Sequence, residues 1–253
     1  MKKFLVILFI LLFFNCGNLD RDNPLDPKNP DSSVNRAILV ELFVNDSTGF
    51  EFCNYALDAI ERLSQREENL YVLEYHLTNR TNNWNDLYAL DEFNQRYYEY
   101  VPTSSQRGIP DALFNGMVKR IQGASKEQID RRYAEVAEEL MGQRGYFSIA
   151  AKKNISNNII TLNVVVARYG SLTENNIDLN VVLYENLSSP RHYFVVRKIF
   201  QKQTIHSISP GEAKSFNFYS QLPQVENVAN LFALVFLQDR KRSTKEVYQV
   251  AEF

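Results

Sequence analysis

Cysteine is nearly absent from these 253 residues, with Cys16 and Cys53 the only two. A disulfide framework is thereby excluded as the main source of stability, and no Cys-x-x-Cys pair exists. A basic excess is also missing. With 28 Lys and Arg against 30 Asp and Glu the net charge is −2, so neither a nucleic-acid surface nor a polybasic membrane patch is expected. Histidine occurs three times, as His76, His192 and His206, and none is paired with a carboxylate at metal-ligand spacing. Surface or internally satisfied histidines are therefore expected, with no metal site and no cofactor. Asp20, Asp22 and Asp26 lack the Gly and Glu of an EF-hand loop. Phosphate-binding glycine loops, a G-x-S-x-G nucleophile and a dinucleotide fingerprint are absent as well.

Only one uninterrupted apolar run stands out, Phe4 to Phe14, preceded by Lys2 and Lys3. It is shorter than the roughly 20 residues needed to span a bilayer and suits the apolar core of a signal peptide. Phe13, Phe14 and Asn15 are poor residues for ordinary secretory cleavage, whereas a lipobox ending at Cys16 fits, with Asn15 where Gly, Ala or Ser is usual. Residues 1–15 are read as a signal peptide and Cys16 as the lipid-bearing first residue of a bacterial lipoprotein. Two or more acyl chains, palmitate among them, give stable anchoring where one is marginal. The following segment to about residue 35 contains Pro24, Pro27 and Pro30 among Asn and Asp, and reads as an extended tether.

What remains is rich enough in apolar side chains, at 45% hydrophobic and 13% aromatic, to build its own core. Ala37 to Val44 and Leu70 to Leu77 are short apolar runs expected as buried strands. Between them Ala56, Ile60 and Leu63 share one helical face. Trp84 to Tyr100 is expected to be helical, with Leu87, Leu90, Phe93 and Tyr97 on one side. Asn115-Gly116 marks a hairpin between an apolar strand and Met117–Gln122. Ser125 and Gln128 form an expected capping box before a helix carrying Ile129, Tyr133, Val136 and Leu140. The element order is β-α-β-α-β-β-α over residues 36–143.

From residue 144 to 253 the periodicity changes to two. Ile160, Leu162, Val164 and Val166 alternate with more polar neighbours. Further runs at 179–185, 193–200, 204–208, 213–219, 231–238 and 246–251 predict an antiparallel sandwich. The aromatic alternation of Phe216, Phe218, Phe232 and Phe236 is assigned to its core.

The first half resembles thioredoxin-like domains in its element order, in Gly108-Ile109-Pro110 ahead of an apolar strand, and in Cys53 at the start of a helix after a buried strand. The whole layout adds Tyr75-His76, Val182-Leu183-Tyr184-Glu185 and Val247-Tyr248-Gln249, and resembles Omp-type outer-membrane lipoproteins with an N-terminal thioredoxin-like domain and a C-terminal Ig-like β-sandwich. That resemblance implies a cis-proline loop at Gly108, Ile109 and Pro110, and an outer-membrane location on either side of that membrane. It departs from the family at the redox pair. In one register Phe52-Cys53-Asn54-Tyr55-Ala56 aligns Cys53 with the nucleophile and replaces the resolving cysteine by Ala56. In the other, Phe50 replaces the nucleophile and Cys53 is the buried partner. Phe52, Tyr55 and Ala59 favour the first.

A helix N-terminus lowers a thiol pKa, so reactivity at Cys53 is physically accessible, but a dithiol cycle is not. The leading expectation is a non-enzymatic binding or envelope-assembly module. It would be held to the membrane by lipid on Cys16 and would take envelope proteins or peptides as partners, not nucleic acid. The alternative is a monothiol disulfide oxidoreductase or isomerase using Cys53.

Overall fold

A computed structural model describes residues 23, 26, 29, 32–47, 50–78, 86–123 and 125–253. Cys16 and the expected signal peptide lie outside the described residues. The chain is mostly β, with mixed and antiparallel sheets and three α-helices among the described residues.

Strand β1 (Val34–Asn35) leads into β2 (Ile38–Val44), whose seven residues are all buried. Such a run needs cover on both faces, and it has it. Helix α1 (Glu51–Arg66) buries Cys53, Ala56, Leu57, Ile60 and Leu63, a three-and-four spacing that lays one stripe on the sheet. Strand β3 (Leu70–His76) runs parallel to β2, pairing Val44 with His76. Helix α2 (Asp91–Tyr100) covers the opposite face with Phe93, Tyr97 and Tyr100. Strands β4 (Asp111–Phe114) and β5 (Lys119–Gln122) form a hairpin in which Phe114 pairs with Lys119 across a four-residue connection that opens with Asn115 and Gly116, both at positive φ (48° and 74°), a conformation these two residue types tolerate. Helix α3 (Ile129–Leu140) returns beside α1 over Val40, Leu42 and Phe114.

Nine further strands follow. They are β6 (Arg144–Gly145), β7 (Phe147–Ser156), β8 (Ile159–Arg168), β9 (Glu174–Glu185), β10 (Val195–Ile199), β11 (Gln203–Ile208), β12 (Ala213–Gln221), β13 (Leu231–Asp239) and β14 (Val247–Glu252). A three-stranded antiparallel sheet, β12-β8-β7, faces β9 and β13 across a core of Leu162, Val164, Leu179, Val181, Val235 and Leu237. The other face of β9 and β13 presents Val182, Tyr184, Leu234 and Phe236 to Leu39, Phe43, Leu73 and Tyr75 of β2 and β3. Both faces of these strands are therefore buried.

The halves are joined in one hydrogen-bonded path, β14-β13-β9-β10-β3-β2-β4-β5, within a nine-stranded sheet. The junction is parallel, Val195 opposite Glu74, and the Glu74 N–H donates to the Phe194 carbonyl at 2.9 Å. A second junction lies at β14, where the Ala37 N–H donates to Gln249 Oε1 at 2.9 Å and the Val247 N–H to the Asn115 carbonyl at 3.1 Å. At the centre of the shared core Glu41 is wholly buried. Arg96 meets it with two nitrogens at 2.9 and 3.0 Å, Tyr100 donates its hydroxyl to it, and Gln238 of β13 joins Arg96 and Tyr100.

Three expectations change. Within the expected long helix of Trp84–Tyr100, whose first two residues lie outside the described ones, the described part is helical only from Asp91: Leu90 is extended (φ −127°, ψ 145°), and the Asp86 carboxylate accepts the Tyr88 N–H at 2.9 Å, a local bond that competes with helix. Leu87, placed on the buried face, is 94% exposed. The capping box does not form, since Gln128 carries no side-chain cap and the Ser125 carbonyl instead accepts the N–H groups of Gln128 and Ile129. The tether ends before residue 35: Ser32 is buried, its hydroxyl accepts the Gly170 N–H at 3.0 Å, and Val34–Asn35 pairs with Arg144–Gly145.

Two substitutions test this architecture. Arg96→Met leaves the Glu41 carboxylate buried without its cation and is expected to lower unfolding free energy by about 3–5 kcal/mol, part of it recovered in Glu41→Leu/Arg96→Met, as read by urea denaturation. At Gly116 an added Cβ would overlap the Lys245 carbonyl and come within 2.9 Å of the Thr244 carbonyl oxygen. Gly116→Ala should therefore cost about 1–3 kcal/mol in the same assay.

Candidate functional site

The carboxyl ends of the parallel strands β2 and β3 meet the first turn of α1, the edge at which open α/β sheets commonly bind ligands. Cys53 lies there, third in α1, with its N–H donating to the Phe50 carbonyl at 2.9 Å. It is wholly buried among Val44, Ala56, Leu57, Phe114 and Tyr133. Burial pushes its thiol up to about 12, a hydrogen bond from the Asn45 backbone opposes that only in part, and the charges of Asp86 and Asp46 push the same way as burial. Phe50 precedes the helix and packs on the same core, and Ala56 is buried one turn further on. Phe52 is 60% exposed and lies edge-on to Tyr55, whose hydroxyl donates to Glu51. The five residues singled out from sequence are thus split between core and surface.

Gly108, Ile109 and Pro110 lie just before β4, and the Ile109-Pro110 bond is cis. Buried side chains hold this loop. The Gly108 N–H donates to the Tyr97 hydroxyl at 3.1 Å, that hydroxyl donates to Asp111 at 2.6 Å, and Arg120 closes on Asp111 at 2.7 Å. Ile109 packs against the core that holds Cys53.

Sequence reasoning missed the more polar half of this edge. Strand period places Val72, Glu74 and His76 on the α1 side of β3, and the last two end up buried. His76 Nε2 is 2.6 Å from Glu74 Oε1, and His76 Nδ1 is 2.7 Å from Asp86 Oδ2. His192, from the β9–β10 loop, puts Nδ1 3.1 Å from the same Glu74 oxygen and Nε2 3.2 Å from Asp46 Oδ2. The two imidazoles lie 5.8 Å apart, with the Tyr88 ring 5.2 Å from each. The loop carrying His192 is fastened to α1 by Arg191, bonded to Asp58 at 2.6 Å and left-handed at φ 72°. His76 and His192 are thus internally satisfied, by carboxylate partners that spacing in the sequence did not disclose because the β3–β10 junction brings distant groups together. His206 is exposed on β11, as a surface histidine. The Glu-x-His spacing within β3 was the one local signal.

Charge follows from this geometry. Burial alone would lower His76, but its bonds to Asp86 and Glu74 outweigh that and hold it at about 9. Burial alone would raise Glu74, and its bonds from His192 and His76 bring it below the usual carboxylate range. Asp86 is held low in the same way by His76. Beside the cluster an open groove of about 780 Å³ is lined by Leu87, Tyr88, Val196, Arg197 and the segment 220–226. Arg197 stacks over Tyr88 at 5.0 Å while pairing with Glu185.

No protein-family model matches the sequence, and no curated protein is significantly similar to it. Among solved structures, the fold is similar to that of HBP35 of Porphyromonas gingivalis, with a TM-score of 0.66 at 12% identity over 87% of this chain and 76% of that one. A structural-genomics protein from Agrobacterium tumefaciens is similar with a TM-score of 0.51 at 19% identity, over 85% of this chain and 93% of that one. A domain of the outer membrane lipoprotein Omp28 from Porphyromonas gingivalis matches 43% of this chain and 86% of its own, at 17% identity and a TM-score of 0.35. At these identities the likeness is one of fold.

Proposed function

We propose that the chain is a lipid-anchored cell-envelope protein that acts as a binding or assembly module rather than an enzyme. Its α/β half, residues 36–143, is read as a thioredoxin-like domain without redox chemistry, and residues 144–253 as an Ig-like sandwich. Support for the first half comes from the order β2-α1-β3-α2-β4-β5-α3 and the cis Ile109-Pro110 bond before β4. The anchor rests on the sequence around Cys16, which makes the membrane the first partner and leaves envelope proteins or peptides as the second. Among the described residues no helix is long and apolar enough to cross a membrane.

The observation that carries the non-enzymatic reading is the burial of Cys53. A thiol titrating at about 12 instead of 9 holds about a thousandth as much thiolate near neutral pH, and thiolate is the species that attacks a disulfide. With no second cysteine beyond Cys16, a mixed disulfide on Cys53 would also lack an internal resolving thiol. Burial favours the second of the two registers, in which Phe50 occupies the nucleophile position and Cys53 that of the buried partner, reversing the preference drawn from Phe52 and Tyr55.

Alkylation of the folded protein near neutral pH is expected to be at least a hundredfold slower than in denaturant, with no step in rate between pH 6 and 9. Rapid labelling with an apparent pKa well below 8.5, together with disulfide turnover lost in Cys53→Ser, would instead establish the monothiol enzyme.

A further inference from the structure

We propose that Glu74, His76 and His192 form a binding site for one divalent transition-metal cation of the zinc type. Three donor atoms from three side chains converge here: Glu74 Oε1, His76 Nε2 and His192 Nδ1 lie within 4.8 Å of one another. Two imidazoles and one carboxylate are a donor set suited to zinc and its neighbours, leaving a position open for water or an external ligand.

The outer groups make the arrangement specific. Each imidazole offers one nitrogen to the common point at Glu74 and its other nitrogen to a separate carboxylate, His76 to Asp86 at 2.7 Å and His192 to Asp46 at 3.2 Å. A ring nitrogen held by a carboxylate fixes the tautomer that leaves the opposite nitrogen free to ligate, the usual second shell of a histidine metal site. His76 satisfies that condition through its hydrogen bond to Asp86, His192 Nε2 lies at ion-pair distance from Asp46, and both rings point at the same Glu74 oxygen.

Charge points the same way. Three carboxylates, Glu74, Asp86 and Asp46, meet here, and among the described residues no lysine or arginine pairs with any of them: the nearby Arg191 is taken by Asp58 and Arg197 by Glu185. With both His76 ring nitrogens on carboxylate oxygens, the metal-free cluster is held together by imidazolium protons; a cation among the donors would displace them and balance the carboxylates with neutral imidazoles. Ligands at 2.0–2.1 Å around a tetrahedral ion stand about 3.3 Å apart, so the contacts of 2.6 and 3.1 Å open by several tenths of an ångström while the two imidazole nitrogens, within 4.8 Å of each other, close by up to about 1.5 Å. The His192 loop, at the partly exposed side of the cluster, is the element able to yield. This inference stands apart from the reading of Cys53, since it requires no reactive thiol.

The test uses the full-length chain purified in detergent, stripped with EDTA and titrated with Zn²⁺ or Co²⁺. Expected are one saturable equivalent per chain, removable by EDTA, and for Co²⁺ the visible absorption of a four-coordinate ion. His192→Ala should weaken binding at least tenfold, Asp46→Asn about 10–100-fold, and His206→Ala not at all. Asp46 is partly exposed and Asn preserves its shape, so this variant decides the matter if His192→Ala fails to fold. Absence of a saturable equivalent would overturn the proposal. So would equal losses in His192→Ala and His206→Ala, or unchanged affinity in Asp46→Asn.

Discussion

The buried contact between Glu41 and Arg96 is the constraint around which the rest of the molecule is arranged. A carboxylate in the middle of a central strand, with no solvent access, has to be met by a cation and by hydrogen bonds; α2 delivers both through Arg96 and Tyr100, and β13 holds those two side chains through Gln238. Because Gln238 lies far along the chain, the pair is complete only when the C-terminal strands are seated on β2 and β3. The Arg96 guanidinium also stacks on Tyr100 at 4.6 Å and on Phe236 at 5.5 Å, so the same group that neutralises the charge serves as packing surface between the halves.

This arrangement explains why one end of the sheet is so polar. The face of β3 that carries Leu73 and Tyr75 is committed to the shared core, and the opposite face carries Val72, Glu74 and His76 towards α1. Past the first turn of α1 there is no more helix to supply apolar cover, and the space is filled by the His192 loop and Asp86. Cys53 sits on the apolar side of that boundary and the imidazoles on the polar side. The acidic groups that surround the histidines are the same ones that help hold the thiol protonated.

Much of this was legible in the sequence, and the reasons for success and failure are physical. β2 and β3 were evident because strands buried on both faces read as unbroken apolar runs, and β8 because one face is core and the other mostly solvent, giving alternation. Asn115-Gly116 announced its turn through the backbone conformation it needs. The start of α2 was misplaced because the apolar spacing at Leu87 and Leu90 imitates a helix, while the Asp86 carboxylate takes the nearby N–H groups. The histidine cluster was invisible for a different reason: Glu74 and His192 are 118 residues apart and touch only because β10 joins β3. Periodicity reports on which face a residue occupies, not on which distant loop arrives at the same edge.

That β10–β3 junction and the docking of β14 beside β2 also govern how the chain reaches its folded state. The first half cannot finish its second face alone, since Leu39, Phe43, Leu73 and Tyr75 are covered by β9, β13 and β14. Contacts joining Ala37 to Gln249, 212 residues away, give the fold a high contact order, and such topologies form late because long loops must close before any contact rewards them. The α/β half of a growing chain therefore keeps the part of this face that α2 does not cover open until its last strand has been made, and the molecule condenses as a unit rather than in two successive stages.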